Sequence, residues 1–306
     1  MRIALCLSLS LLIPCTLKAV IVAGANGGSD NANNTTAAQI QSSLGINGAF
    51  YDNVISYSNA GAVYLGWTNP GSGNVAYALS EMHITFSNTI VISGVTYSVS
   101  EQSISGSDLA LLTLTQTSGI MPPLPAIVMA SSTPAVGNTI VMAGFGQARV
   151  QAATTSANVS DAVAISGNGT GYTTSATAQK RWGTNTFAGT TSGLINGAQT
   201  NLGASDFTTP SPGQWLTTNE AQAVVGDSGG GVFNLSGQLV GLMAAVSGTS
   251  TEAAFNELTY FSDLPTYKST IDSITGGALI PEPGTISLFL LGGLGAGFFV
   301  FRRRKA

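Results

Sequence analysis

The chain has little of the chemistry that metal sites and disulfide bridges need. Among its 306 residues it contains one histidine, His83, and two cysteines, Cys6 and Cys15. A metal site built on clustered histidine and cysteine ligands is therefore not expected, and no cofactor is predicted.

Charge is also scarce. Only 8% of the residues are charged while 44% are hydrophobic, which excludes disorder driven by excess charge. Between positions 20 and 285 we count four basic and 14 acidic residues, a net charge near −10 (4 − 14). Such an acidic segment repels the phosphates of nucleic acid, so we do not expect the protein to bind DNA or RNA.

Sustained helical periodicity is missing from the middle of the chain. Short alternating runs at residues 62–67, 89–92 and 95–99 are bounded by Gly, Asn and Ser, which is typical of small antiparallel strands and their turns. The pattern predicts an all-β fold, with one short helix over residues 264–274.

The first 19 residues have the basic start and apolar core of a secretory signal peptide. Cleavage after Ala19 would remove both cysteines, so the mature chain is predicted to have no disulfide. Export follows from the same prediction.

The far end of the chain combines three features. Residues 281–283 (Pro-Glu-Pro) precede an apolar stretch at 286–301, which ends in the basic residues 302–305. The stretch predicts a membrane helix whose basic end stays cytoplasmic. A plain membrane anchor is one interpretation.

Residues 279–306 as a whole resemble the PEP-CTERM sorting signal of Gram-negative bacteria. The resemblance implies an exosortase-type sorting protease as a partner and at least transient contact with the membrane. It also implies delivery to the cell envelope, the cell surface or the extracellular matrix.

The most informative stretch is residues 226–231 (Gly-Asp-Ser-Gly-Gly-Gly), which places Ser228 in a glycine-rich turn. A serine hydroxyl attacks a carbonyl only beside a base, and the resulting oxyanion needs donors. Glycines allow unusual backbone dihedrals, so the amides of Gly226 and Ser228 could point at one place. A glycine-rich hairpin between two strands is the alternative.

This motif resembles the active-site segment of the trypsin-like (chymotrypsin-fold) serine peptidases. Residues 77–84 and 107–114 resemble the segments that carry that family's histidine and aspartate, in the family's order. The resemblance implies a catalytic triad of His83, Asp108 and Ser228, with an oxyanion hole formed by Gly226 and Ser228.

Two departures from the family pattern stand beside this resemblance. Glu81 and Met82 replace two small residues before His83, and only 25 residues (108 − 83) separate His83 from Asp108. We interpret the short separation as a trimmed loop.

Segments at residues 136–146, 237–242 and 261–271 also resemble strands of the family, again in order. The implied fold is two antiparallel six-stranded β-barrels packed together. The domains are then the signal peptide (1–19), an N-terminal barrel (20–128), a C-terminal barrel (129–278) and the sorting signal (279–306).

The resemblance also indicates the specificity pocket. Gln222 stands six residues before Ser228, where an Asp would select basic side chains, and Ala244 and Val246 align with the pocket wall. We therefore expect a small or apolar side chain before the scissile bond.

Two function classes follow. The first is an exported serine endopeptidase acting on a protein or peptide substrate. The second is a catalytically inactive trypsin-like protein of the surface or the extracellular matrix. An esterase of another fold fits poorly, because it needs a histidine after the nucleophile and no histidine follows Ser228.

Overall fold

The computed structural model describes residues 20–23, 34–68, 74–149, 163–165, 169–208, 219–248 and 252–276. These residues are mostly in β-strands, so the prediction of a β fold is confirmed, and strands form at all three predicted runs. The strands are β1 (Ile21–Ala23), β2 (Val54–Tyr57), β3 (Ala60–Thr68), β4 (Val75–Glu81), β5 (Thr89–Ile92), β6 (Val95–Ser103), β7 (Leu109–Thr115), β8 (Thr139–Gly144), β9 (Gln147–Arg149), β10 (Val163–Ile165), β11 (Gly169–Ala178), β12 (Arg181–Ile195), β13 (Ala198–Asp206), β14 (Glu220–Gln222), β15 (Gly231–Asn234), β16 (Leu239–Val246), β17 (Glu252–Ala254) and β18 (Leu258–Asp263).

The first sheet is a nearly closed six-stranded barrel. Its strands pair antiparallel in the order β2-β3-β4-β7-β6-β5, and the two edge strands β2 and β5 approach each other. The hairpin of β5 and β6 lies between β4 and β7 in the chain. In the sheet, β4 and β7 are nevertheless direct neighbours, with Glu81 opposite Leu109.

Side chains of the first barrel alternate between two apolar clusters. On β7, Leu112 and Leu114 pack inside the barrel, whereas Leu109 and Leu111 pack against residues of the second sheet such as Trp182. Both faces of β7 are therefore buried, which explains why its sequence reads as a nearly continuous apolar run.

The second large sheet contains a ring of six strands. Hydrogen-bonded pairs run β8-β12-β13-β18-β16-β15 and return from β15 to β8. β14 and then β1 extend this sheet beyond β12, so β1 lies with the second sheet although it comes first in the chain. A smaller sheet of β10, β11 and β17, with β9 beside β11, completes the strands of the described residues.

Two α-helices flank the sheets. Helix α1 (Ala37–Leu44) begins with a capping box between Thr36 and Gln39, and it was not predicted. Helix α2 (Leu264–Thr275) confirms the short helix predicted from the sequence. A single-turn 3-10 helix covers Ala49–Tyr51.

Within the described ranges, no helix has the length and apolarity to cross a membrane. The predicted membrane helix at 286–301 and the predicted signal peptide at 1–19 both lie outside the described residues.

Candidate active site

The structure brings the side chains of His83, Asp108 and Ser228 together at the junction of the two large sheets. His83 lies in the turn after β4, and Asp108 directly precedes β7. Since β4 and β7 are paired neighbours, the two residues reach the same edge of the barrel. Ser228 comes from the second sheet, in the turn before β15.

Hydrogen bonds link the three side chains in a row. His83 Nδ1 forms a very short contact with Asp108 Oδ2, and His83 Nε2 lies 2.8 Å from Ser228 Oγ. Asp108 is buried, at 1% exposure, whereas His83 reaches the surface. In the tautomer that donates from Nδ1, the imidazole has a free lone pair on Nε2 that can accept the Ser228 proton.

Backbone contacts from both sheets hold Asp108. Its amide donates to Thr200 Oγ1 on β13 at 3.0 Å, and its carbonyl accepts from the Met82 amide at 2.5 Å. Thr200 is fully buried and belongs to the second large sheet. The sequence of the first barrel alone therefore does not fix the position of Asp108.

The turn around Ser228 is rich in hydrogen bonds. The Gly229 amide donates to Met243 O at 2.8 Å, and the Gly230 amide donates to Asp227 O at 2.8 Å. The Ser228 carbonyl accepts from the Gly61 amide of β3 at 2.9 Å, a bond that joins the two sheets.

Two amides of this turn remain available. The N–H groups of Gly226 and Ser228 donate to no acceptor in the part of the chain that the structure describes, and both residues line the cleft beside Ser228 Oγ. Gly226 has a φ of 91°, a left-handed backbone that favours glycine. Donors with this placement can stabilise an oxyanion.

Asp227 supports the turn from behind. Its Oδ1 accepts from the Gly146 amide at 2.7 Å and its Oδ2 from the Val224 amide at 2.9 Å. Burial raises the pKa of this carboxyl well above its usual range, against the effects of the Val224 N–H and of the Arg181 charge. A Cβ on Gly144 would lie 2.2 Å from Asp227 Oδ1, so the close approach requires glycine there.

An apolar cleft of about 260 Å³ opens beside Ser228. Ala244 and Val246 lie in its wall, together with Val224 and Met243. Gln222 does not line the cleft. It is fully buried in β14, opposite Ile21 of β1 in the register, and its Oε1 accepts from Thr259 Oγ1 at 3.0 Å.

Residues 279–305 match the PEP-CTERM protein-sorting motif. The chain carries a PEP-CTERM motif. This finding confirms the resemblance noted at the Pro-Glu-Pro segment, and the motif indicates export and sorting to the cell envelope of a bacterium.

No curated protein matches the sequence of this PEP-CTERM chain. Solved structures of proteases are similar to it at low identity. The Rv3671c protease of M. tuberculosis H37Rv, in its inactive form, has 13% identity and a TM-score of 0.44, covering 74% of this chain and 91% of that one. The HtrA-type protease AlgW with a decapeptide has 16% identity and a TM-score of 0.42, over 72% and 53% of the two chains. The MamO protease domain of Magnetospirillum magneticum has 15% identity and a TM-score of 0.44, over 72% and 97%.

Sequence reasoning missed two residues near the three side chains. Thr200 is 92 positions from Asp108, and no local pattern points to their contact. Glu81 was noted only as a departure from the family pattern. The structure shows that Glu81 is buried, at 1% exposure. One of its carboxylate oxygens lies within 4.8 Å of a ring nitrogen of His83 and of a carboxylate oxygen of Asp108.

Proposed function

We propose that the chain is an exported serine endopeptidase, with Ser228 as nucleophile, His83 as general base and Asp108 as the residue that orients His83. The observation that carries the proposal is the continuous row of hydrogen bonds from Asp108 through both ring nitrogens of His83 to Ser228 Oγ. A serine with a base in reach, and a carboxylate behind that base, is the arrangement that activates a hydroxyl for attack.

The first half of the reaction forms an acyl-enzyme. Ser228 Oγ attacks the peptide carbonyl carbon while its proton moves to His83 Nε2. The carbonyl oxygen becomes an oxyanion and accepts hydrogen bonds from the amides of Gly226 and Ser228. Asp108 accepts from Nδ1–H and stabilises the imidazolium. The acyl-enzyme is complete when His83 gives its proton to the leaving amine and the C–N bond breaks, which leaves an ester on Ser228.

The second half regenerates the enzyme. A water molecule loses a proton to His83 Nε2 and attacks the ester. Collapse of the second tetrahedral intermediate returns the proton to Ser228 Oγ and releases the acid.

The lining of the cleft supports a small or apolar side chain before the scissile bond. Ala244, Val246, Val224 and Met243 offer no charge to a basic side chain. An apolar pocket discriminates by only about 1–3 kcal/mol per methylene, so we expect broad specificity within this class.

The architecture that we propose is chymotrypsin-like, with two six-stranded barrels over residues 20–128 and 129–278. The nearly closed first sheet and the ring of six strands in the second support it. The strand β1 is an exception to the boundary, since residues 21–23 pair with the second sheet.

For the route to the surface we propose recognition by exosortase-type machinery at the Pro-Glu-Pro segment, supported by the PEP-CTERM motif at 279–305. The apolar residues 286–301 would hold the chain at the membrane until that step.

Cleavage of an internally quenched peptide library by the purified full-length chain tests the proposal. We expect cuts after small and apolar residues and not after Lys or Arg. The variant Asp108→Asn keeps its shape but is expected to lose about 10⁴-fold in kcat, because the His83 tautomer is then wrong. A folded chain that cleaves no peptide would instead favour the inactive surface protein, and equal cleavage by Ser228→Ala would exclude Ser228 as nucleophile.

A further inference from the structure

A second carboxyl group lies directly behind Asp108. Glu81 is the last residue of β4 and pairs with Leu109 of β7, so it stands beside Asp108 in the register. Glu81 and Asp108 are each only 1% exposed. One carboxylate oxygen of Glu81, one of Asp108 and one ring nitrogen of His83 all lie within 4.8 Å of one another.

The hydrogen bonds of the two carboxyl groups leave one oxygen of each without a donor. Glu81 Oε1 accepts from Ser262 Oγ at 2.9 Å, and Asp108 Oδ2 contacts His83 Nδ1. Glu81 Oε2 and Asp108 Oδ1 are buried and have no hydrogen-bond partner among the described residues. Two ionised carboxylates in this position would repel each other in a site that excludes water.

One proton held between the two carboxyl groups would satisfy both oxygens. A protonated carboxyl group has an O–H donor, and the neighbouring ionised carboxylate is an acceptor without a partner. Glu81 is the better holder of this proton, because Asp108 must remain an acceptor for the Nδ1–H of His83. Burial raises the pKa of Glu81 well above its usual range, and the charge of Asp108 raises it further.

We propose that Glu81 is a positioning residue that carries a carboxyl proton and donates it in a hydrogen bond to Asp108 Oδ1. This bond holds the Asp108 carboxylate in the rotation that aims Oδ2 at His83 Nδ1. The inference rests on the proposed function of the triad. It extends the row of hydrogen bonds to Ser262, Glu81, Asp108, His83 and Ser228.

The variants Glu81→Gln and Glu81→Met form a matched pair. Glutamine keeps the shape, accepts from Ser262 through its carbonyl and donates to Asp108 through its amide, as a protonated glutamate does. Methionine has a similar volume but no donor, so it leaves Asp108 Oδ1 unsatisfied. Thermal unfolding of both variants identifies any loss of the fold.

The titration of His83 is a readout that does not depend on turnover. His83 is the only histidine of the chain, so the imidazole signals of the full-length protein in NMR belong to one residue. The titratable groups that face Glu81 are Asp108 at the start of β7 and His83 on its own segment, while β18 presents the hydroxyl of Ser262.

We expect the pH dependence of the imidazole signals in Glu81→Gln to match that of wild type, because a neutral group replaces a neutral group. A shift of this pH dependence to lower pH in the variant would overturn the proposal, since it would mean that Glu81 carries a negative charge beside His83.

Turnover of a peptide substrate gives the second readout. Glu81→Gln should keep kcat within about twofold of wild type, and Glu81→Met should lower it by about tenfold or more at unchanged KM. Equal loss in both variants, or no loss in Glu81→Met, contradicts the positioning role. If wild type itself has no turnover, the proposed function fails, and the His83 titration still decides the protonation of Glu81.

Discussion

Glu81 and Asp108 are adjacent acids with different environments. Asp108 accepts one hydrogen bond from His83 Nδ1, while Glu81 is buried and accepts from Ser262 Oγ. Burial and the charge of Asp108 raise the pKa of Glu81 well above the usual value for a glutamate, 4.5. The folded chain therefore binds a proton at Glu81 that the unfolded chain releases.

The raised pKa predicts how the free energy of unfolding depends on pH. Above pH 4.5, the unfolded chain loses the proton of Glu81 and the folded chain keeps it, so stability falls as pH rises toward the folded-state pKa. Asp227 has a raised pKa as well and contributes with the same sign. The difference between wild type and Glu81→Gln isolates Glu81.

Denaturant unfolding of both proteins between about pH 5 and about pH 8 measures this difference. We expect the stability of wild type to fall more steeply with pH than that of Glu81→Gln, which has no carboxyl group to ionise at position 81. Parallel curves would show that the pKa of Glu81 is the same in the folded and unfolded chain.

At the scale of single residues, the sequence motifs pointed to the three residues of the candidate triad. His83, Asp108 and Ser228 stand in recognisable segments, and the structure brings them together. Gln222 was assigned to the pocket by its spacing from Ser228. The structure shows it fully buried against Thr259 of β18, in a strand that pairs with β1 about 200 residues earlier, and neither contact has a local signal.

The turn at residues 226–230 connects the two large sheets. Gly229 has a φ of 75°, and a Cβ added to it would lie 2.0 Å from the carbonyl oxygen of Gly61 on β3. The Gly61 amide also donates to Ser228 O. The position of the nucleophile thus depends on close contact between β3 and this turn.

The substitution Gly229→Ala tests that contact, and Gly94→Ala is its matched control. Gly94 has a similar φ of 80° in the turn between β5 and β6, but among the described residues no atom outside its chain neighbours lies within 4 Å of its added Cβ. We expect Gly94→Ala to cost about 1 kcal/mol from backbone strain alone. Gly229→Ala should cost about 3 kcal/mol or more, because β3 must also move.

Denaturant unfolding measures both variants on the same scale. Equal destabilisation by the two substitutions would mean that the turn can relax away from β3 without penalty.

The elements that sequence reasoning missed have weak local signals. Helix α1 is eight residues long, so its apolar stripe of Ala37, Ile40 and Leu44 covers only about two turns and gives a weak periodic signal. Its capping box, Thr36 with Gln39, was the available signal. Helix α2 was predicted because Leu264, Tyr267 and Ile271 follow a helical spacing, and all three are buried.

At the scale of the whole molecule, the chain combines a β body, with a candidate triad at the junction of its sheets, and a C-terminal sorting motif. The body is held without disulfides, since both cysteines precede residue 20. Apolar packing between the sheets, with Leu109, Leu111, Trp182 and Phe233 in one cluster, joins the elements that carry the site. The sequence predicted the order of the strand segments and of the sorting motif along the chain. Which strands pair with which could be seen only in the structure.

Covalent labelling by a fluorophosphonate tests the central claim most directly, because this reagent loses fluoride and phosphonylates only a serine that a neighbouring base activates. The full-length chain is labelled and the modified peptide is identified by mass spectrometry. The matched controls are Ser228→Ala, His83→Ala and Ser236→Ala, the last at an exposed serine in the hairpin of β15 and β16.

We predict one adduct, on Ser228, in wild type and in Ser236→Ala, and none in Ser228→Ala or His83→Ala. Absence of the adduct from a folded wild-type chain, or undiminished labelling after removal of His83, would contradict the assignment of Ser228 and His83 as nucleophile and base.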